Sequence, residues 1–349
     1  MDSRQIPFGT IARMLVAAVL LAVVFQGVAL EEVGAAIKAA DAGLILAAFA
    51  MNWAGILLSV ARWRGLLRAQ GGDATHGALA RSFLVGQFFN NLLPSTIGGD
   101  AVRAYDSFRF GVSRGAALTV VVVDRLLGLA ALGIFALAAG TLLTRPAIST
   151  PLLAAALLGA AAMAGLSAWV ILAPPTAVLA LLVRLPVGLR RRIRILGRQL
   201  SDALLRFHDP VVLGRGFAIS VVLQISVIVF YALLGAGLGF SVPHGHWFLI
   251  VPVAVLAMLA PISVNGIGLR EGVFAFLLAS YGVPTAGAVA FAWLAYASVA
   301  LQAVLGGVFY VARARRGERP MRLSGAEPIV AADASGAATG QERETSGAV

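Results

Sequence analysis

Residues 88–103 read FFNNLLPSTIGGDAVR, and this stretch decides how the rest of the chain is organised. An apolar segment breaks at Pro94, and two glycines, an aspartate and an arginine follow the proline. Residues 259–271, LAPISVNGIGLRE, repeat the arrangement 167 positions later, so that proline lies over proline and arginine over arginine. Six aligned positions agree in kind without a gap, which favours an internal duplication of one broken-helix element over a chance match in an apolar chain.

The composition of the chain is that of a membrane protein. Of its 349 residues, 60% are hydrophobic and only 12% are charged, and the mean hydropathy is +0.91. Soluble domains carry about 25% charged residues. Backbone groups in lipid must be satisfied by helices or by a closed barrel, and the apolar runs here are unbroken over roughly 20 residues, as in spanning helices. The sequence therefore predicts an all-α, polytopic integral membrane protein.

The charges and the metal-binding residue types exclude several functions. The net charge is +11, and of the 27 basic residues only Lys38 is a lysine. Because no basic domain exists outside the membrane, we expect arginines at cytoplasmic helix ends and no nucleic-acid partner. The chain has no cysteine, which excludes disulfides and thiolate metal sites. His244 and His246 share a loop without a third ligand nearby, so neither a metal nor a cofactor is expected.

The apolar segments predict a single transmembrane domain over residues 1–316. Its spans lie at about 11–30, 43–60, 116–140, 152–173, 217–238 and 286–311, and its broken elements at about 78–93 and 248–278. The first segment could be a secretory signal, but its length and the lack of a cleavage site favour a retained span. Residues 176–209 are predicted to be a basic amphipathic cytoplasmic segment that lies on the membrane or packs against the spans. Residues 317–349 are predicted to be a disordered cytoplasmic tail.

The arginine distribution predicts the orientation of the chain. Dense clusters lie at 62–81, 103–114, 184–215 and 313–319, and such clusters usually face the cytoplasm. Both termini are then cytoplasmic, and the first broken element enters from the inside and the second from the outside.

The sequence thus predicts two inverted repeats, at about 43–140 and 214–312. Each repeat contains a Pro/Gly-broken re-entrant helical hairpin, or alternatively a pair of full crossings.

Inverted repeats with interrupted helices near the bilayer midplane are typical of secondary transporters. A helix N-terminus that faces a cavity carries a partial positive charge and suits an anion. Arg103, Arg125 and Arg270 follow or adjoin the breaks, and a guanidinium matches a phosphate group through its fork of N–H donors. Charges at membrane depth usually face a cavity or a partner, so we expect these arginines to receive an anionic head group.

The predicted substrate-binding residues are the polar and glycine positions of both breaks and the charges beside them. They are Asn90, Asn91, Ser95, Thr96, Gly98, Gly99, Asp100, Arg103, Asp124, Arg125, Ser263, Asn265, Gly266, Arg270 and Glu271, with Pro94 and Pro261 as helix-breaking residues. Structural roles remain open for several of them. Asp124 and Arg125 could neutralise each other, or they could pair with Arg103 and Asp100. The asparagines could line a polar path or cap backbone groups that the breaks release.

Residues 89–100, with Val123-Asp124-Arg125 after them, resemble the flippase-like membrane family, which is the transmembrane region of lysylphosphatidylglycerol synthases and its stand-alone relatives. Residues 261–272 match the same family, and the resemblance covers about residues 8–312. It implies a bacterial inner-membrane protein that moves a lipid or a lipid-linked head group between leaflets. The bifunctional relatives carry a cytosolic domain that transfers lysine from aminoacyl-tRNA to phosphatidylglycerol. We expect this chain to lack that domain and its activity.

The function expected from the sequence is therefore a lipid flippase without enzymatic activity. One alternative is a membrane-embedded transferase that acts on lipid-linked sugars, with Asp100 or Glu271 as its base. Another is a non-transporting scaffold for a separate lipid-modifying synthase. For the flippase, the expected partner is a membrane lipid with an anionic head group.

Overall fold

The computed structural model describes residues 29–92, 97–142, 150–172, 207, 209–259 and 266–316, and within these ranges the chain is all-α, as predicted. Ten α-helices and one short 3-10 helix, His244–His246, are present there. The helices are α1 Leu30–Ala39, α2 Ala42–Ala69, α3 His76–Leu92, α4 Ile97–Arg109, α5 Arg114–Leu142, α6 Thr150–Leu172, α7 Pro210–Gly237, α8 Trp247–Met258, α9 Leu269–Ala279 and α10 Thr285–Arg315.

Four of these helices are long and apolar enough to cross a membrane. They are α2, α5, α7 and α10, and a shorter apolar stretch, Leu157–Ile171, lies within α6. The prediction placed the end of the first of them at about Val60, which is wrong by more than two turns. The helix continues to Ala69 because Leu66 and Leu67 in its last turns are buried against the bundle.

Two segments outside the predicted spans are mostly helical. The connection at 31–41 is mostly α1, with Glu31 and Glu32 in its first turn and Lys38 in its last. These charges oppose the partial charges at the two helix ends. The polar segment at 100–114 is mostly α4, so each broken element contributes two helices, α3 with α4 and α8 with α9.

Several predicted features lie outside the described residues. They are the first predicted span, nearly all of the amphipathic segment 176–209, the tail 317–349, and the candidate residues Pro94, Ser95, Thr96, Pro261, Ser263 and Asn265.

The order of helices recurs within the chain. Helices α2–α3–α4–α5 and α7–α8–α9–α10 each run long, short, short, long. Both α2 and α7 have 28 residues and begin at an aspartate N-cap, Asp41 or Asp209, whose side chain accepts a backbone N–H. Both are followed by a glycine with positive φ, Gly71 at 84° and Gly239 at 76°. The two aspartates and the two glycines are each 168 positions apart, so the first long helices of the two halves correspond residue by residue.

The correspondence shifts by about one turn across the second break. Gly111 and Gly282, both with positive φ, precede α5 and α10 and lie 171 positions apart, against 167 for the prolines of the breaks. The second half therefore has four more residues between its proline and this glycine, about one helical turn. Counted back from these glycines, Arg103 corresponds to Phe274. The predicted equivalence of Arg103 with Arg270 is thus wrong for helix positions: Arg103 lies in the middle of α4, and Arg270 lies in the first turn of α9.

Residues 1–309 form one compact unit, and residues 310–349 form a second, of which the structure describes only the end of α10 and the turn after it. Within the first unit, α2 and α7 make the most extensive helix pair. Glycines bring other backbones into direct contact: a Cβ at Gly306 of α10 would lie 1.9 Å from the Leu84 carbonyl oxygen of α3. Such close contact between small residues is a common means of packing helices in a membrane.

Candidate functional site

Three charged side chains from three helices meet inside the bundle. Asp124 of α5 accepts from the Arg62 Nε of α2 at 2.6 Å and from the Arg103 Nη1 of α4 at 2.9 Å. The two arginines are each 6% exposed and the aspartate is 2% exposed. We call Arg62, Arg103 and Asp124 the charge triad. Because one carboxylate faces two guanidinium groups, the triad carries a net charge of +1.

Neighbouring side chains fix both arginines of the triad. The Arg62 Nη1 donates to the Ser220 Oγ of α7 at 2.7 Å. The guanidinium carbon of Arg103 lies 4.8 Å from the ring centroid of Trp63 and 5.7 Å from that of Phe83. The Trp63 Nε1 donates to Ser107 at 3.0 Å, which holds the indole against α4. Five helices therefore contribute to this site, and cation–π contacts stabilise its second guanidinium.

The hydrogen-bonding capacity of Arg103 is only partly used. Its Nη1 binds Asp124, whereas its Nε and Nη2 are buried and have no hydrogen-bond partner among the described residues. A buried N–H donor without an acceptor is costly, and this cost is larger when the donor is charged.

A second arginine–aspartate pair, Arg125 with Asp100, lies beside the triad in the sequence. Arg125 donates from Nε to Asp100 Oδ2 at 3.0 Å and from Nη2 to Asp100 Oδ1 at 2.8 Å. Its side chain is 49% exposed, against 26% for the aspartate. Of the two pairings that the sequence left open, the structure has the crossed one: Asp124 with Arg103, and Arg125 with Asp100.

The asparagines of the first break hydrogen-bond to backbone groups. Asn90 Oδ1 accepts from the Gly99 N–H at 2.7 Å, and Asn91 Nδ2 donates to the Gln87 carbonyl at 2.9 Å. A Cβ at Gly99 would lie 2.5 Å from Asn90 Nδ2, so a glycine is needed at this position. Gly98 is buried beside it. The contact of Asn90 with the Gly99 N–H is that of a cap, and the role of Asn91 stays a prediction.

The predicted residues of the second break make contacts of their own. Glu271 is buried and its Oε2 accepts from the Gly268 N–H at 2.8 Å. Gly266 and Gly268 both have positive φ, 75° and 78°, which favours glycine. The guanidinium carbon of Arg270 lies 5.0 Å from the ring centroid of Tyr296. None of these contacts involves the charge triad.

The positions that correspond to the triad in the second half are apolar or aromatic. Counted from the helix starts and the glycine landmarks, Arg62, Trp63, Arg103 and Asp124 correspond to Phe230, Tyr231, Phe274 and Ala295. The ring centroids of Phe230 and Tyr231 are 4.9 Å apart, and those of Tyr231 and Phe274 are 5.2 Å apart. These residues belong to one apolar core, and we call them the aromatic junction.

Sequence reasoning missed Arg62, Trp63 and Ser220 as parts of this site. The sequence pattern predicts that Arg62 flanks a span, because the predicted span ends before it. The missed signal is that apolar residues continue beyond it to Leu67. A further buried carboxylate, Asp106, accepts from the Ser82 hydroxyl and lies 3.7 Å from Arg109 Nη1.

A cavity of about 420 Å³ lies elsewhere, between α1 and the turns before α8 and α10. Glu32, Phe240 and Tyr281 are among its lining residues, and none of the predicted site residues is. His246 Nδ1 lies 2.8 Å from the Tyr281 hydroxyl. Among the residues that the structure describes, no cluster of three or more metal-ligating side chains is found.

The fold and the triad define a class: polytopic α-helical membrane proteins that hold a charged site between their helices. The chain belongs to the family described as lysylphosphatidylglycerol synthase TM region, whose model matches residues 10–313. The resemblance seen in the broken elements is thereby confirmed, and a membrane location and a lipid-related function are consistent with this family. No curated protein matches the chain.

Proposed function

We propose that the protein is a lipid flippase that moves a phospholipid or a lipid-linked anionic head group between the leaflets of the bacterial inner membrane. In this proposal the two halves are inverted repeats, their broken elements enter from opposite faces, and both termini are cytoplasmic. The family match supports a lipid-related role, and the recurring helix order supports a duplicated architecture.

One observation carries the proposal: among the described residues, the buried charge triad sets two arginines against a single carboxylate. Each buried ion costs several kcal/mol in desolvation, and a charge at membrane depth usually faces a cavity or a partner. Asp124 balances only one of the two arginines of the triad. An anionic head group that binds beside Arg103 supplies the missing negative charge and the missing acceptor.

The depth of the triad suits a head group that leaves the cytoplasmic leaflet. Arg62 lies seven residues before the end of α2 at Ala69, and Asp124 lies ten residues after the start of α5 at Arg114. At 1.5 Å per residue, the triad is therefore about 10–15 Å along the helices from these ends. Both ends adjoin the dense arginine clusters that we assign to the cytoplasm. A head group reaches the triad there, and its acyl chains stay in lipid.

The experiment is lipid transport in reconstituted vesicles. Purified protein is placed in phosphatidylglycerol vesicles, and the loss of a fluorescent phosphatidylglycerol analogue from the outer leaflet is followed by a membrane-impermeant quencher. We expect Arg103→Ala to slow transport by about 10-fold or more, because it removes a charged donor. The matched control is Arg68→Ala, since Arg68 forms an exposed pair with Asp73. Absence of transport by the wild type would contradict the flippase, whereas equal rates for the Arg103 variant and the wild type would contradict the role of the triad in it.

The same preparation tests the alternatives. A new lipid-linked product formed from added donors would indicate the transferase. Its expected bases are engaged here, Asp100 by Arg125 and Glu271 by the Gly268 N–H. Retention of a partner synthase without any transport would indicate the scaffold.

A further inference from the structure

We propose that the charge triad binds one singly charged oxyanion through the free edge of the Arg103 guanidinium, and this inference rests on the proposed function for its lipid source. The ligand class is a group with two oxygens that share one negative charge, as in a phosphodiester.

The free atoms of Arg103 define the geometry of the site. Nε and Nη2 lie on the same side of the planar guanidinium, and their N–H bonds form a parallel fork. These are the two atoms without a hydrogen-bond partner among the described residues. The fork matches two oxygens of one phosphate or carboxylate group, and it gives such a pair bidentate geometry.

In the second arginine–aspartate pair, the same two guanidinium nitrogens bind a carboxylate. Arg125 uses Nε and Nη2 to hold both carboxylate oxygens of Asp100. Arg103 instead uses Nη1 for Asp124, and its fork is left for another ligand. We therefore assign the ligand to Arg103 and exclude Arg125 from direct head-group binding, although the sequence had proposed both.

The charge of the triad sets the charge of the ligand. Arg62 and Arg103 contribute two positive charges and Asp124 contributes one negative charge, and all three are buried. Two further carboxylates of α4, Asp106 and Asp100, each lie close to an arginine outside the triad, Arg109 and Arg125. One negative charge neutralises the site. A ligand with two negative charges leaves an excess of −1, and a zwitterion brings a cation that Arg62 and Arg103 repel.

Aromatic rings hold the fork in one plane. Trp63 and Phe83 contact the guanidinium of Arg103, and Ser107 fixes the Trp63 indole. A lysine at position 103 keeps the charge, but it has no fork and no planar group to lie against these rings. Arg103→Lys therefore removes the paired N–H donors of the fork and keeps the positive charge.

The experiment measures binding by the full-length protein in a neutral detergent at pH 8. The probes are short-chain phosphatidylglycerol, phosphatidylcholine and phosphatidate, whose phosphomonoester takes a second negative charge at this pH, together with inorganic phosphate as a competitor. We expect phosphatidylglycerol to bind about 10-fold or more tightly than either other lipid. We expect Arg103→Lys to lose this preference and the matched control Arg125→Lys to keep it.

Each outcome decides one question. Binding of phosphatidate or phosphatidylcholine that is tighter than that of phosphatidylglycerol overturns the proposal of a singly charged ligand on the Arg103 fork. An unchanged preference for phosphatidylglycerol in Arg103→Lys overturns it as well. Competition by inorganic phosphate, which carries two negative charges at pH 8, also overturns the single-charge ligand, whereas competition by lipid alone assigns the fork to the head group. A preserved preference without transport in vesicles refutes the flippase and leaves the site standing. Transport that is indifferent to Arg103→Lys refutes the site and leaves the flippase standing. Unchanged thermal unfolding of both variants shows that folding is not the cause.

Discussion

Two helix junctions at corresponding places in the two halves of the molecule have opposite chemistry. In the first half, Arg62 and Asp124 meet Arg103 over the Trp63 ring. In the second half, the corresponding residues are apolar or aromatic and pack within a closed core. The long helices before the two junctions agree in length, in their aspartate N-caps and in the glycines that follow them.

The difference between the two junctions indicates the role of the buried charges in the triad. The four residues of the aromatic junction carry no charge, and they lie in an apolar core. Replacing buried ion pairs with well-packed apolar residues is often neutral or stabilising. We therefore expect that the charge triad is not required to hold the first junction together, and we propose that its charges serve a binding site.

The largest effect on stability is expected from Asp124→Ala. It leaves two buried guanidinium groups without their shared carboxylate, and removal of one partner from a buried ion pair costs about 3–5 kcal/mol. Thermal unfolding in detergent measures this loss. The corresponding position in the second half is already an alanine, Ala295. If Asp124→Ala unfolds at the wild-type temperature, the carboxylate is not balancing the two arginines.

A substitution in the aromatic junction is expected to affect stability but not transport. Phe274 is fully buried, and Phe274→Ala removes its ring from the Tyr231 and Phe291 rings. The resulting cavity costs about 3–5 kcal/mol. We expect the transport rate per folded molecule to stay within about two-fold of the wild type. A loss of transport as large as that of Arg103→Ala would show that both junctions take part in the site.

A smaller effect is expected from Asp100→Asn. The Arg125–Asp100 pair is partly exposed, and such pairs contribute about 0–1 kcal/mol. Thermal unfolding and lipid binding are both expected to change little, because neither residue holds the ligand. The fork of Arg125 is then free, so a gain in anion binding by this variant would show that a fork suffices without the triad.

The smallest effect concerns the turns after the first long helices. In the first half, a hydrogen bond from Arg68 lowers the pKa of the Asp73 carboxyl to about 2. Because the folded-state pKa is below the unfolded value of about 3.9, the pair stabilises the turn above that value. This contribution is lost as the pH falls toward 2. The turn in the second half, 238–243, has no charged residue. Asp73→Asn should therefore have its smallest effect on the unfolding temperature at pH 2 and below, and it should lower that temperature slightly at pH 7.

The sequence predicted the helical class and the long spans, because these depend on local hydrophobicity. The duplication into two inverted repeats stays a prediction. The sequence did not predict the triad. The apolar run before Arg62 suggested that the helix ended there, and only the packing of Leu66 and Leu67 shows that it continues.

The sequence also could not show which charged residues pair or how the helix positions of the two halves align, and the reason is different. Asp124 could face Arg125 or Arg103, and the choice depends on how α4 packs against α5. The gapless match between the breaks hid the four additional residues before Gly282, because six similar residues in an apolar chain fix the motif but not the helix positions around it.

The central claim is that the charges of the first junction serve binding and not folding. A single variant tests it: the four residues Arg62, Trp63, Arg103 and Asp124 are changed to those of the aromatic junction, Phe, Tyr, Phe and Ala. Ser220 keeps its own acceptor, the Gly216 carbonyl at 2.8 Å. We predict that this variant inserts and unfolds at or above the wild-type temperature, and that it neither binds nor transports phosphatidylglycerol. Wild-type transport by a folded variant would contradict the account.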